Sequence, residues 1–401
     1  MAKKIITTYL LVSLIATFLS ALHAAVYVTY LLQSGLSLFE VSLVNLFFMV
    51  SAFLLEIPTG AVADLWGRKF SFILSSIING IGFFVYSMAD SFSGFIIAEI
   101  IIALGMTLMS GALRAWLVDS LHFVGWNGRL IKIFHLEGRV INLARLSGGL
   151  IGAYLGIKNL SVPFAIAGVG YWLLAIISYS IMQEDYFQKK SRNGKEVVKD
   201  IKQIVQDSIV YGFKDNTIFL IVAVTILFTL GFQSFNMFWQ PKYGPLLLNT
   251  QQFGFIWAGI VIFTAIGNEL VRFFWVHVPK IKTAYLIIGV SLGITMILAG
   301  IIPVFALSLI WFYAHEIVRG VYQPYTSAVL HERIPSDKRA TVESFVSMMR
   351  TGAAALGLIL AGWASERLGI EMAWILSGIM IIAFLPLGML LNGKRINKSA
   401  H

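Results

Sequence analysis

The sequence contains no cysteine, and only 12% of its 401 residues are charged. Without cysteine, the chain has no disulfide framework, no thiolate zinc site and no cysteine nucleophile. Soluble domains carry about a quarter charged residues. The 30 basic and 20 acidic side chains of this chain are too few to cover a soluble protein of this length. The shortage of charged residues excludes a cytosolic enzyme.

Motifs of catalysis and cofactor binding are also missing. The chain has no Gly-x-x-x-x-Gly-Lys-Ser/Thr loop, so ATP does not drive it directly. No group of His, Asp or Glu has metal-ligand spacing, and the Ser and His residues form no hydrolase motif. We therefore expect no enzymatic activity, no bound metal and no cofactor.

Long apolar runs are abundant, since 58% of the residues are hydrophobic. About 20 consecutive apolar residues cross a hydrocarbon core, and the sequence predicts twelve such spans. They are 7–33, 37–61, 70–88, 94–120, 132–156, 160–183, 217–241, 251–276, 283–302, 305–331, 339–364 and 370–391. The chain is thus predicted to be an all-α integral membrane protein, with six helices in 1–183 and six in 217–401.

The basic residues predict the orientation of these spans. With a cytoplasmic N-terminus, 21 of the 30 Lys and Arg residues fall in inner segments and three in outer loops. This positive-inside bias places both termini in the cytoplasm, in the cell membrane. The net charge of +10 is then a topogenic and lipid-facing feature rather than a nucleic-acid surface. The first span is too long for a signal peptide, and we expect it to stay in the mature protein.

A polar segment, 184–216, separates the two groups of spans. Apolar residues recur within it at helical spacing between 197 and 209, opposite charged residues. This pattern favours an interfacial amphipathic helix that links the two bundles. A flexible linker with chance periodicity is the alternative.

The loop between the second and third spans reads Gly60-Ala-Val-Ala-Asp64-Leu-Trp-Gly67-Arg68-Lys69. Gly60 is expected to let two helices approach closely, and Gly67 to supply a tight turn. Asp64 can accept charge-assisted bonds from Arg68. With this loop after the second of twelve spans, the chain resembles the major facilitator superfamily over essentially its whole length.

The resemblance implies two pseudo-symmetric six-helix bundles that work by rocker-switch alternating access. It also implies that Asp64 and Arg68 form an ionic latch at the cytoplasmic side, with Asp119 at the inner end of the fourth span. Leu65 departs from the motif, where a second basic residue is common. The run before Gly60, with Glu56, resembles tetracycline, macrolide and multidrug exporters. Span 5 lacks the Gly-Pro pair typical of drug antiporters.

Charges within the spans are functional candidates, because each one costs a few kcal/mol on insertion. Glu56, Glu99 and Glu316 are candidates for proton coupling, and the sequence does not rank them. Candidates for the substrate cavity are Arg145, Arg350, Arg319 and His315. A buried Arg–Glu pair that only fixes helix packing is the alternative for each deep charge. His23 is expected to be a helix histidine that a neighbour satisfies.

The leading hypothesis is a monomeric exporter of amphipathic small molecules, such as antibiotics, driven by the proton gradient. Its partners are then a small-molecule substrate, protons and membrane lipids, with no nucleic acid. A symporter or exchanger of a small organic anion, with Arg145 and Arg350 as the anion clamp, is one rival. A non-transporting receptor or lipid-handling protein on the same fold is the other.

Overall fold

The computed structural model describes residues 1–187, 216–278, 280–333 and 339–384. Within these ranges the chain forms fifteen α-helices and no strand. They are α1 (Ala2–Ala21), α2 (Tyr27–Gln33), α3 (Leu38–Trp66), α4 (Arg68–Met88), α5 (Phe92–Met109), α6 (Ala112–Phe123), α7 (Leu130–Leu155), α8 (Val162–Ile181), α9 (Asn216–Met237), α10 (Trp239–Tyr243), α11 (Gln251–His277), α12 (Ile281–Ile301), α13 (Phe305–Arg333), α14 (Arg339–Leu368) and α15 (Ile370–Ala383).

Each predicted span coincides with one helix or with one broken pair. The first span is interrupted at residues 22–26, the fourth at Ser110 and Gly111, and the seventh at Phe238. The sequence predicted these three spans but not the breaks within them. An apolar composition does not report backbone conformation, and Gly111, with φ of +73°, leaves the helical region there.

In the described part of the chain, eight helical segments are long and apolar enough to cross a membrane, and the bent α9–α10 pair brings the number to nine. Helices α7 and α13 have sufficient length but are not among them. They contain the candidate charges Arg145, Glu316 and Arg319. Charged residues in membrane helices face the bundle interior or a water-filled cavity, so the polarity of α7 and α13 indicates surfaces of one of these two kinds.

The two ends of α3 are set by local sequence. Ser37 starts the helix with a capping box: its Oγ accepts the Glu40 backbone N–H at 3.2 Å, and Glu40 Oε2 accepts the Ser37 N–H at 2.8 Å. Gly67, with φ of +98°, ends α3 and directly precedes α4. The chain therefore reverses without a loop, and residues on either side of Gly67 remain close together.

The described residues form two compact units. Unit 1 comprises Met1–Val197 and Leu247–Ala258, and unit 2 comprises Val198–Leu246 and Gly259–His401. In unit 1, α4 packs against α5 and α8, and α1 packs against α7. In unit 2, α12 packs against α13 and α15, and α9 packs against α14. In both units the third span thus contacts the fourth and sixth, and the first contacts the fifth.

Glycines allow the closest of these helix contacts. A Cβ on Gly152 of α7 would lie 1.6 Å from the Leu22 carbonyl oxygen, just after α1. In unit 2, a Cβ on Gly357 of α14 would lie 2.9 Å from the Leu230 carbonyl oxygen of α9. Both glycines therefore lie where two helices pack closely.

The predicted amphipathic linker helix falls within 188–215, outside the described residues. The boundaries proposed for the two bundles and their linker stay a prediction.

Candidate functional site

A cavity of about 310 Å³ lies inside unit 1. Its walls come from α1, from the α1–α2 break and from helices α2, α3, α4, α5 and α8. Six of the lining side chains carry hydrogen-bonding or titratable atoms: Ser20, His23, Tyr27, Asn45, Tyr86 and Glu99. A small, mostly apolar cavity with a few polar groups is the usual form of a small-molecule site.

Glu99 is the charged member of this lining. It lies in α5, roughly 10 Å from the start of the helix at 1.5 Å per residue, and only 5% of it is exposed. The Tyr27 hydroxyl donates a hydrogen bond of 2.7 Å to Glu99 Oε1. Asn45 Nδ2 in turn donates to the Tyr27 hydroxyl at 3.2 Å. Glu99 therefore does not extend towards an aqueous surface but is held inside unit 1 by a chain of donors.

An aromatic wall faces the same space. His23 lies in the α1–α2 break, with its ring centroid 5.1 Å from those of Phe83 and Phe164. Tyr86 stacks on Phe164 with 4.7 Å between centroids. Buried His23 Nδ1 has no hydrogen-bond partner within the described residues. The expectation of a satisfied helix histidine was wrong on both points, because the helix breaks at this position and surrounds the ring with aromatic carbon.

Unit 2 also holds a buried carboxylate on its fourth span. Glu316 of α13 is 1% exposed. Its Oε2 accepts the Arg319 Nε–H at 2.9 Å and the Thr264 hydroxyl at 2.9 Å, and Arg319 Nη2 also contacts it closely. Glu316 is therefore neutralised by a cation one turn away on its own helix.

His315 precedes Glu316 in the chain but contacts different residues. It is fully buried, with its ring 4.3 Å from that of Phe235, and its Nδ1 lies 3.5 Å from the Thr295 hydroxyl. No direct His315–Glu316 bond forms, in agreement with their angular separation on the helix.

Glu99 and Glu316 thus differ in their electrostatic partners. Both are buried, and both lie on the fourth span of their unit. Glu316 has Arg319, whereas no Lys, Arg or His forms an ion pair with Glu99 in the described ranges. A carboxylate buried without a countercharge is far less stable than a paired one.

The remaining intramembrane candidates are solvent- or lipid-accessible in the structure. Glu56 of α3 is exposed, and its Oε1 accepts a hydrogen bond of 3.1 Å from the Ser110 hydroxyl. Arg145 of α7 and Arg350 of α14 are also exposed. Each arginine belongs to a different unit, and each lies on the fifth span of that unit.

The α3–α4 junction brings together the charges of the predicted latch. Arg68 Nη2 lies 2.9 Å from Asp64 Oδ1, and Arg68 Nε lies 3.9 Å from Asp119 Oδ2. Lys69 Nζ lies 5.0 Å from the centroid of the Tyr179 ring. A Cβ on Gly60 would meet no atom within 4 Å, so the expected close helix contact at Gly60 was wrong. The residue faces open space, and its smallness is not required by packing in the described conformation.

A residue that the sequence reasoning missed completes this junction. Glu184, three residues after α8, accepts the Arg68 backbone N–H at 2.6 Å and the Lys69 N–H at 3.0 Å. A carboxylate at a helix N-terminus satisfies free N–H groups and complements the helix dipole. Tyr27, Asn45 and Thr264 were missed as well, because neutral side chains give no charge signal within an apolar run. An acid just beyond the sixth span was the available signal for Glu184.

Two known proteins resemble the chain in sequence. No model of a known protein family matches the chain. An uncharacterized MFS-type transporter of Bacillus subtilis, YxaM, is 23% identical over 237 residues, which cover 59% of this chain and 58% of that protein. An uncharacterized MFS-type transporter of Methanocaldococcus jannaschii, MJ1560, is 22% identical over 364 residues, 90% of each chain.

Solved structures share the fold at lower identity. The nucleoside transporter NupG superposes with a TM-score of 0.80 at 14% identity, covering 96% of this chain and 98% of NupG. A D-xylose–proton symporter gives a TM-score of 0.73 at 13% identity, covering 96% and 97%. The chain is thus similar in sequence to proteins described as MFS-type transporters, and it has the fold of the solved transporters.

Proposed function

We propose that the protein is a proton-coupled exporter of amphipathic small molecules and that Glu99 is the carboxyl group through which protons drive it. The observation that carries this proposal is the burial of Glu99 in an aromatic cavity without a basic partner. Such a carboxyl is stable when protonated, and it becomes ionised when water or a cation reaches it. The coupling group of a proton-driven transporter must alternate between these two states.

The hydrogen bonds around Glu99 favour a proton over a metal ion as the coupling species. Tyr27 donates to Glu99, and Asn45 donates to Tyr27. A sodium or other hard cation needs several oxygen atoms directed at it, whereas this chain of groups directs hydrogen atoms towards the carboxylate. The arrangement supports proton binding and release at Glu99.

Glu316 fits a structural role better than a coupling role. Its ion pair with Arg319 supplies a permanent countercharge, and Thr264 occupies a further lone pair. Glu56, the third acidic candidate, is exposed and therefore lacks the buried environment of Glu99. The proposal therefore ranks Glu99 first.

The test measures substrate-driven pH change in proteoliposomes that contain the full chain and a pH-sensitive dye. The compounds are ethidium as a cation, chloramphenicol as a neutral molecule and naphthalene-2-sulfonate as an anion. We expect at least one cationic or neutral compound to change the internal pH, and Glu99→Gln to abolish that change. Glu316→Gln and Glu56→Gln should retain it whenever they fold.

Three outcomes would contradict the proposal. One is coupling that survives Glu99→Gln, and another is a complete absence of pH change with all three compounds. The third is a response to the anion alone that Arg145→Ala and Arg350→Ala remove, which would favour the organic-anion exchanger. Exchange of labelled for unlabelled substrate in Glu99→Gln separates lost coupling from lost binding.

The charges at the α3–α4 junction would then regulate the conformational cycle. Asp64, Arg68 and Asp119 form a connected set of ion pairs at one end of α3, α4 and α6. We propose that they hold one conformation of the transporter and that substrate and proton binding release them. Their spatial proximity and the resemblance of the loop support this role.

A further inference from the structure

We infer that the cavity in unit 1 binds a small protonated amine that carries one aromatic ring, and that the ammonium group pairs with Glu99. This inference rests on the proposed function and names the substrate class of the Glu99 site. It rests on the size of the cavity, on the aromatic side chains of its walls and on the Glu99 carboxyl, which has no basic partner there.

The volume of the cavity limits the size of the ligand. The cavity measures about 310 Å³, at the lower end of the roughly 300–1,000 Å³ typical of small-molecule sites. Its lining comes entirely from unit 1. A single-ring compound with a short chain fits this space, whereas a macrolide is far too large for it. The cavity therefore selects a smaller class of compound than the resemblance to antibiotic exporters suggests.

Charge sets the second limit. Glu99 is the acidic side chain of the lining, and no Lys or Arg is among the lining residues. An organic anion would bring a buried negative charge with no compensating cation, and a neutral molecule would neither displace the proton of Glu99 nor form an ion pair with it. A protonated amine supplies the missing countercharge and up to three N–H donors.

The aromatic wall sets the third limit. Phe83, Tyr86 and Phe164 present ring surfaces beside Glu99. Ring faces attract an ammonium group, and both faces and edges pack against an aromatic ligand. The wall and the carboxylate thus recognise the two ends of one molecule, an aromatic ring and a cationic amine.

Proton exchange follows from the same pairing. When the ammonium group arrives, the protonated carboxyl of Glu99 loses its O–H proton to water and becomes the carboxylate of the ion pair. One cation enters and one proton leaves, so the charge of the site does not change. The other titratable groups that face this space are His23 at the α1–α2 break, Tyr27 on α2 and Tyr86 on α4. Lining residues from α3 and α8 add no titratable group.

The experiment uses three compounds with one carbon skeleton: 2-phenylethylamine, 2-phenylethanol and phenylacetate. Their binding to the purified full chain in detergent is measured by calorimetry at pH 6 in two buffers of different ionisation enthalpy, which counts released protons. We expect the amine to bind at least tenfold more tightly than the alcohol or the acid and to release protons. We expect no proton release with 2-phenylethanol.

Variants identify the group responsible. Glu99→Gln should remove the preference for the amine and the proton release, whereas Glu99→Asp should retain both with lower affinity. His23→Gln should still release protons. Glu269, an exposed carboxylate of α11 in unit 2, provides the matched control, and Glu269→Gln should bind the amine like the unmodified protein. Because the three compounds are also compared on the unmodified protein, the test does not depend on any variant folding.

Two results would overturn the inference: equal binding of amine and alcohol by the unmodified protein, or retention of the preference in a folded Glu99→Gln variant. If they occur while proteoliposome coupling still requires Glu99, the substrate class is wrong and the proposed function stands. If the amine binds with proton release but no compound couples to a pH gradient, the site stands and the transport function fails.

Discussion

The Tyr27 hydroxyl lies 2.7 Å from Glu99 Oε1, and it joins the break in the first span to the buried acid of the fourth. These residues are 72 positions apart in the chain. The contact brings a neutral donor rather than a cation to the carboxylate. It is the feature that distinguishes unit 1 from unit 2, where Arg319 contacts the corresponding acid.

Replacing Tyr27 by Phe should weaken amine binding and slow coupled transport. The ring remains, but Glu99 loses its donor and Asn45 loses its acceptor. A hydrogen bond to a charged group contributes about 1.5–3 kcal/mol, which corresponds to roughly a ten- to hundredfold loss of affinity for 2-phenylethylamine. Calorimetry measures this loss. Unchanged affinity in Tyr27→Phe would show that the hydroxyl does not support the ionised carboxylate.

Replacing Arg319 by Ala should destabilise the folded protein strongly, because Glu316 would remain buried without a partner. Breaking a buried pair from one side costs about 3–5 kcal/mol. The double variant Arg319→Ala/Glu316→Gln should recover much of this loss, since no buried charge remains. Thermal unfolding in detergent compares the two single variants with the double variant. Additive effects would contradict the assignment of a structural ion pair.

Replacing Gly152 by Ala should reduce the yield and the thermal stability of the protein. The new Cβ would lie 1.6 Å from the Leu22 carbonyl oxygen, so α1 and α7 must separate. Gly138 on the same helix provides a control, because a Cβ there meets no atom within 4 Å. Size-exclusion profiles and unfolding temperatures of both variants measure the difference. Equal behaviour of Gly152→Ala and Gly138→Ala would contradict the close packing.

Replacing Glu184 by Gln should lower stability by about 0.5–2 kcal/mol, the usual contribution of a helix cap. The carboxylate accepts the first two backbone N–H groups of α4, and an amide carries no charge to complement the helix dipole. Asp185→Asn alters the exposed neighbouring acid and serves as the matched control. Thermal unfolding at low and high salt compares the two variants. A loss of stability in Asp185→Asn but not in Glu184→Gln would be inconsistent with the cap.

Replacing Asp64 by Asn should slow the transport cycle without changing substrate preference. The substitution weakens the 2.9 Å ion pair with Arg68 at the α3–α4 junction, whereas the lining of the unit 1 cavity does not include this residue. Initial transport rates and the order of affinities for ethidium and chloramphenicol are the measurements. An altered order of affinities would argue against a latch.

The sequence predicted the all-helical membrane fold and the order of its spans from local properties. Apolar length and the Gly67 turn act within a few residues, and the structure agrees with both predictions. The breaks at 22–26 and at Ser110–Gly111 were not predicted, because an apolar run continues through them without any change in composition.

The candidate site was predicted only in part. Glu99, Glu316, Arg319, Asp64, Arg68 and Asp119 were all identified as candidates from charge and position. The groups that these residues contact were not predicted from the sequence. The exception is the pair of Asp64 and Arg68, which lie one turn apart on either side of Gly67. Arg145 and Arg350 are exposed on their helices, and their assignment to a substrate cavity stays a prediction.

The sequence by itself determined which residues carry charge within the membrane spans, because each such charge is conspicuous against an apolar background. Only the tertiary structure decided which of those charges is neutralised. Tyr27 donates to Glu99 from another helix and is itself bonded by Asn45, while Arg319 contacts Glu316 from the same helix. The stability of a buried charge depends on the groups within a few ångströms of it, and helix packing brings most of those groups from distant parts of the chain.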